Sequence, residues 1–387
     1  DSTAATLAFD GMLANQAALS PSSGSIGQIA TMIIPADACW GEDAATAERL
    51  LPPAREIVSD QIIQDVATKI GASTLILLDG DGLSLPARIA ANCIADKFGC
   101  RVSMSTFPAR VDGGVGLPKC ERLPYFPEQV LKTLKGVDTI VLAGAEAPVS
   151  FFAYPGVPSS LVPAGVNVVR LSEVQQNTTV ALEALAELLG ATEHHYAVNE
   201  SLVLDLPTGK LTTFGVALAI AKHLPDNAIV CGDSGGGGAA FEPAQRSRPN
   251  TWLNLTGGSI GQGGPVAVGA AVACPDRPVL ALLGDGASMY TNQAFWTQAR
   301  EGLNVTTVIF NNSKYGILET EYLRLGVNAV GDRAADLFGL ARPAIDFVKL
   351  GASMGVPGER VNTVEELCAA LTRSFCTEGP YLIEAGL

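Results

Sequence analysis

Residues 279–315 constrain the fold of this chain more than any other stretch. They open with the apolar run Val279-Leu-Ala-Leu-Leu283, short and glycine-bounded, which reads as a buried strand. Gly284-Asp285-Gly286 breaks it. A helical segment follows, with Met289, Phe295, Trp296 and Ala299 as its apolar positions. A second apolar run, 305–310, ends in Asn311-Asn312. Strand, helix and strand in succession make a parallel crossover. Both polar motifs then fall at the carboxyl ends of neighbouring strands, the edge at which open α/β sheets bind ligands.

The chemistry of the two ends is complementary. Asp285 brings a carboxylate, Asn312 a neutral amide oxygen, and the turn after Asn312 its backbone carbonyls. These are hard oxygen donors, and a few of them on one side of an octahedron suit Mg2+ that keeps phosphate oxygens on the other. Gly284 and Gly286 let backbone N–H groups approach a phosphate with no Cβ in the way.

G-D-G, 24 intervening residues (287–310) and N-N resemble the fingerprint of thiamine-diphosphate enzymes. The surroundings are similar to the group of acetolactate synthase, benzoylformate decarboxylase and pyruvate oxidase, and most of all to acetolactate-synthase-like proteins. The resemblance implies parallel-sheet, three-layer α/β domains, with thiamine diphosphate and Mg2+ as cofactors. It implies metal ligation by the side chains of Asp285 and Asn312 and by the carbonyl of Lys314. Cofactor contacts are implied for Gly284, Gly286, Ala287, Asn312, Tyr315, Gly316 and Ile317. A second G-D-G, residues 80–82, also follows an apolar run, 74–78. Twenty-seven residues beyond Asp81 stands Pro108, with no Asn pair, so that copy reads as a turn.

Two further stretches match by position. After the strand 228–231 comes Gly232-Asp-Ser-Gly-Gly-Gly-Gly238, where the resemblance places Asp233, Ser234 and Gly235 against the diphosphate. Relatives carry hydroxyls where this chain has glycines. The run is either a close backbone cradle or a flexible loop. Thr256-Gly-Gly-Ser-Ile-Gly261 precedes a small-residue helix over 265–273. There the resemblance makes Ile260 the wedge that bends the cofactor, and the Gly258 carbonyl an acceptor for its pyrimidine amine. Ile317, Leu318 and Glu321 fall on the pocket-lining helix of relatives. Glu321 is a candidate proton relay, although neither it nor Glu319 matches a family catalytic position, and Glu319 reads as a surface carboxylate.

The length suggests two or three domains. Residues 1–50 resemble the end of a pyrimidine-binding domain, with a helix over 4–18, a buried strand over 25–35 and an exit at 35–40. The family's activating glutamate belongs to the rest of that domain, and no residue here matches it. A linker at Pro52-Pro53 leads to a block over 55–190 that resembles the central domain. Strands at 74–78, 102–106, 139–143 and 166–171 alternate there with helices at 59–69, 86–98, 127–134 and 179–189. No G-x-G-x-x-G opens a helix, so FAD, held by some relatives, is not expected. The glycines at 113–116 read as a surface loop, and the aromatic run 151–156 as a loop packed on the sheet edge after 139–143. Residues 190–201, with His194-His195, read as a linker rather than a metal site. Residues 200–387 are the expected diphosphate-binding domain. It contains a helix over 212–223, the motifs above, a helix over 363–375 and a strand over 381–384.

Net charge is -14, which argues against a nucleic-acid or anionic-membrane surface. No apolar run reaches the ~18 residues of a membrane span. The eight scattered cysteines form no C-x-x-C pair and read as thiols of a reducing compartment, cytoplasm or organelle matrix. The glycosylation patterns at Asn177 and Asn304 are taken as chance, and the first residues do not form a signal peptide. The resemblance implies decarboxylation or carboligation of a 2-oxo acid. It also implies a dimer or tetramer, or a partner that supplies the pyrimidine-binding domain. The alternative is a non-catalytic structural or regulatory homologue.

Overall fold

The computed structural model describes residues 2–21, 27–202 and 205–387. The chain divides into two compact units. One holds residues 1–106, 120–151 and 159–196, and the other residues 107–119, 152–158 and 197–387.

The strands of the first unit are β1 (Thr74–Leu78), β2 (Arg101–Met104), β4 (Glu121–Arg122), β5 (Thr139–Ala143) and β6 (Asn167–Ser172); β3 (Arg110–Gly113) belongs to the second. The sheet order is β4-β2-β1-β5-β6, with every pair parallel. β1 and β5 are buried along their whole length, as expected of strands covered on both faces. Helices Asp60–Ala67, Leu85–Phe98, Pro127–Thr133 and Thr178–Leu188 connect and cover them. The second G-D-G is a turn of 3-10 helix, Gly80–Leu83. Asp81 accepts from the Thr179 N–H at 2.8 Å and pairs with Arg55 at 3.4 Å, so this carboxylate serves the start of the helix Thr178–Leu188.

The second unit contains β7 (Ala228–Asp233), β8 (Asn250–Leu253), β9 (Val279–Gly284), β10 (Val305–Asn311), β11 (Gly358–Val361) and β12 (Tyr381–Gly386). Their order is β11-β12-β10-β9-β7-β8-β3, with only β3 antiparallel. The chain steps outward from β7 to β8, then returns through the helix Gly263–Ala273 to place β9 on the other side of β7. Winding therefore reverses between β7 and β9. A crevice opens beyond the carboxyl ends of the strands at such a reversal. Ile229, Cys231, Ala281, Leu283, Ile309 and Phe295 are among the side chains packed beneath it.

Several expectations need correction. Residues 27–35 form no strand; Ile29 is 96% and Ile33 84% exposed, and residues 25 and 26 lie outside the described residues. A buried strand needs a ladder on each side, and among the described residues none lies beside this segment. The glycines at 113–116 are not simply a surface loop. Gly113 ends β3, and both it and Gly114 are buried. A Cβ on either would strike Gln245 or Pro249. The run 151–156 does not pack as one piece on the edge of the first sheet. Tyr154 belongs to the second unit, where its hydroxyl donates to Glu321 Oε2 at 2.7 Å and its ring lies 4.5 Å from the Arg324 guanidinium. Of the paired histidines, His194 meets Asp96 at 3.2 Å. The helical segment expected after Gly286 consists of two helices, Asp285–Ser288 and Gln293–Arg300.

Candidate cofactor site at the switch point

Three strand tips and one loop converge at the reversal. β9 pairs with β10 so that Gly284 stands opposite Phe310, which brings Asp285 and Asn312 to adjoining tips. β7 pairs with β9 so that Asp233 stands opposite Leu283. Ser234 packs on Gly284: a Cβ built there would be 3.5 Å from the Ser234 Cβ.

Asp285 is 4% exposed. Its Oδ1 accepts the Gly286 N–H at 2.8 Å, while its Oδ2 is buried with no hydrogen-bond partner. Burial pushes its pKa up, and the backbone amides of Gly286, Ser313, Lys314 and Asn312 hold it down in part. The carboxylate therefore faces the 312–314 turn. An orphaned carboxylate oxygen in a buried site costs free energy unless a donor or a cation reaches it. That orphan suits a divalent cation.

The turn itself is shaped for the same role. Asn312 is exposed, and its Oδ1 accepts the Lys314 N–H at 3.1 Å. The Lys314 carbonyl accepts the Gly316 N–H at 2.9 Å. Each of these oxygens keeps a second lone pair. The Lys314 ammonium is paired with Glu319. Ser313 has φ +58, the left-handed conformation that reverses the chain between the strand and the helix Gly316–Arg324. Tyr315 lies against Gly286, where a Cβ would come within 2.5 Å of the ring. Glycine is required there for the two tips to touch.

The four-glycine run is not a flexible loop. It forms the first turn of the helix Gly235–Gln245, capped by Ser234, whose Oγ accepts the Gly237 N–H at 2.6 Å. Gly236 fits beneath Phe310, where a Cβ would lie 2.4 Å from the ring. Asp233 is buried, and its Oδ2 accepts the N–H groups of Gly261 at 2.8 Å and Gly263 at 3.0 Å. Burial raises its pKa, and those two amides oppose the rise. Asp233 thus ties the tip of β7 to the glycine loop. Thr291 Oγ1 donates to the Gly261 carbonyl, which ties the same loop to the chain after Asp285.

In that loop Gly257 and Gly258 have φ +62 and +66. The Gly258 carbonyl accepts the Ile260 N–H at 2.9 Å. Ile260 is 47% exposed, so its side chain is free to meet a ligand. Ala287 lies in the short helix Asp285–Ser288, Gly235 has open space on its Cβ side, and Ile317 is exposed. Glu321 is held by Tyr154. The sequence reading missed Glu384, which is buried on β12 and accepts from Asn311 Nδ2 at 2.7 Å. The available signal was a lone carboxylate inside the apolar strand Tyr381-Leu-Ile-Glu-Ala-Gly386.

A reversal flanked by two buried aspartates, with glycine-lined strand ends, is the position at which proteins of the open α/β class bind ligands. The comparisons narrow it. The family described as thiamine pyrophosphate enzyme, C-terminal TPP binding domain, matches residues 230–385. IlvX of Mycobacterium tuberculosis, a candidate acetolactate synthase large subunit, is 45% identical over 361 residues, covering 92% of this chain and 69% of its own. Benzoylformate decarboxylase of Pseudomonas aeruginosa is 30% identical over 68% of this chain and 51% of its own. Acetolactate synthase isozyme 1 large subunit of Escherichia coli is 26% identical over 88% and 62%. The chain therefore spans about half to two thirds of these relatives. The solved 4-hydroxybenzoylformate decarboxylase of Rhodococcus jostii superposes with TM-score 0.78 at 23% identity, covering all of this chain and 75% of that one, a likeness of fold. This chain belongs to the thiamine-pyrophosphate enzyme family and is an acetolactate synthase large subunit-like member of it.

Proposed function

We propose that this chain supplies the diphosphate-binding half of a thiamine-diphosphate- and Mg2+-dependent enzyme of acetolactate synthase type, which decarboxylates or carboligates 2-oxo acids. The observation that carries the proposal is the buried, unpartnered Oδ2 of Asp285 facing the 312–314 turn. Asp285, Asn312 and the Lys314 carbonyl hold the cation in this reading. Ser234, Gly235, Gly284, Gly286, Ala287, Tyr315 and Gly316 form the wall against the diphosphate, and Asp233 braces it from behind. Ile260 and Ile317 exclude water from the reacting end, and Gly258 offers its carbonyl to the pyrimidine.

Thiamine diphosphate, when bound, supplies carbanion stabilisation at a carbonyl carbon. The protein's task is orientation and exclusion of water. No residue here is proposed as the activating glutamate. We assign that group, and the rest of the pyrimidine-binding fold, to polypeptide outside these 387 residues, in the same assembly. Residues 1–50 are its edge in this reading, 55–190 the central domain without FAD, and 200–387 the diphosphate domain. The assembly is a homodimer or tetramer, or a complex with the partner that brings the missing domain, in a reducing compartment.

Calorimetric titration of thiamine diphosphate into the folded assembly tests the proposal. Saturable binding in the presence of Mg2+, lost on adding EDTA, is expected. Folded protein that takes up no cofactor at any Mg2+ concentration would refute it.

A further inference from the structure

We infer that Glu384 is a positioning residue for the proposed cation site, acting through Asn311 on the turn that faces Asp285. The inference rests on the magnesium reading above. Glu384 is 1% exposed. One of its oxygens, Oε1, accepts from Asn311 Nδ2 at 2.7 Å and lies 3.4 Å from Arg360 Nη1. The other, Oε2, accepts the Phe347 N–H at 3.1 Å. Both carboxylate oxygens are therefore committed, and the strand pairing that sets Asn311 opposite Gly386 fixes their distance from β10.

A carboxylate only accepts hydrogen bonds. Asn311 must turn its NH2 group toward Glu384 and its oxygen away. That oxygen then accepts the Ser313 N–H at 2.9 Å and the Ser313 hydroxyl at 3.2 Å. Ser313 is thereby held at φ +58, a conformation an L-residue seldom keeps without such support. The Ser313 carbonyl is secured in turn by the Leu340 N–H at 2.7 Å. With Ser313 so held, Asn312 and Lys314 present their groups on the Asp285 side, where the amides of 312–314 act on its carboxylate. The relay runs Arg360, Glu384, Asn311, Ser313, and none of the four is itself a ligand of the proposed cation. Outer partners of this kind orient ligands, and their loss typically weakens metal binding about 10- to 100-fold.

The test combines Mg2+ titration into protein saturated with thiamine diphosphate and amide exchange at Ser313 in the metal-free protein. In Glu384→Gln the carboxylate no longer dictates the orientation of Asn311. Exchange at Ser313 should quicken, and the Mg2+ Kd should rise about tenfold or more. Glu384→Gln combined with Asn311→Asp reverses donor and acceptor and leaves an oxygen for Ser313. It should return the Kd to within about threefold of the parent, a coupling that two independent losses would not give. Glu359→Gln removes the partner of Arg373 and Tyr381 on the same sheet. It should lower Tm without moving the Kd. Equal Mg2+ affinity in Glu384→Gln and parent overturns the positioning role alone, as does an equal loss in Glu359→Gln. A parent chain that binds cofactor but no Mg2+ overturns the magnesium reading beneath it.

Discussion

Asp285 carries a carboxylate that its surroundings push toward the protonated form, and that fixes the sign of a pH effect. The folded chain holds this proton more tightly than the unfolded chain does. In the metal-free protein its contribution to stability is therefore greatest below the ordinary value of 3.8 and is lost as pH rises toward the raised folded value. Asp233 and Asp79, also raised mainly by burial, act in the same direction. A cation on Asp285 competes with the proton and reverses that residue's share. The rise in Tm caused by Mg2+ with thiamine diphosphate should thus grow as pH rises from the ordinary carboxylate range toward neutrality. Thermal melts across that range check it, and a gain independent of pH would contradict it. The residue scale also shows what sequence reading can reach. That Asp285 and Asn312 stand at adjoining strand tips was legible, because the strand–helix–strand pattern that joins them is continuous in sequence. Glu384 and Tyr154 were not, because their partners stand 73 and 167 residues away.

At the scale of elements, the helix Gly263–Ala273 separates two kinds of glycine. Gly263 packs so closely that a Cβ would lie 2.5 Å from the Asp233 Cβ and 2.6 Å from Leu283, whereas Gly269 on the same helix has open space around it. Gly263→Ala should cost about 1–3 kcal/mol through overpacking. Gly269→Ala should gain roughly 0.5–1 kcal/mol, because it restricts the unfolded chain without strain. Urea unfolding of both variants measures the contrast, and equal effects would mean the crowding at Gly263 is absent in solution. The buried strands β1, β5, β9 and β10 were legible as unbroken apolar runs. The helices expected over 86–98 and 363–375 span Leu85–Phe98 and Val364–Phe375, and Ser84 and Thr363 cap them. The four glycines did not read as a helix, because low propensity argues against one. Ser234, the fit beneath Phe310 and the neighbouring β9 override that propensity. β8 and β11 are short edge-side strands whose pairing partners define them, and no local pattern marks them. The run 27–35 failed for the opposite reason: apolar residues alone do not supply a neighbour to pair with.

On the scale of the whole molecule, exposed apolar residues gather in the early part of the chain, where Ile29, Ile33, Trp40, Leu51 and Ile57 are exposed. Residues 42–59 carry no helix or strand. Exposed backbone without a ladder is where proteases cut first. Limited proteolysis should therefore cleave between residues 27 and 59 and leave a folded product containing the rest. First cuts within either parallel sheet would contradict this division. In the proposed assembly the same surface is covered, so cleavage should slow once the missing domain is supplied. The position of the cation is the central question. Crystals grown with thiamine diphosphate and Mn2+ in place of Mg2+ allow the metal to be placed by its anomalous scattering. One strong peak is expected between the Asp285 carboxylate and the 312–314 turn. Ordered cofactor with the peak elsewhere, or with Asp285 Oδ2 still without a partner, would contradict it.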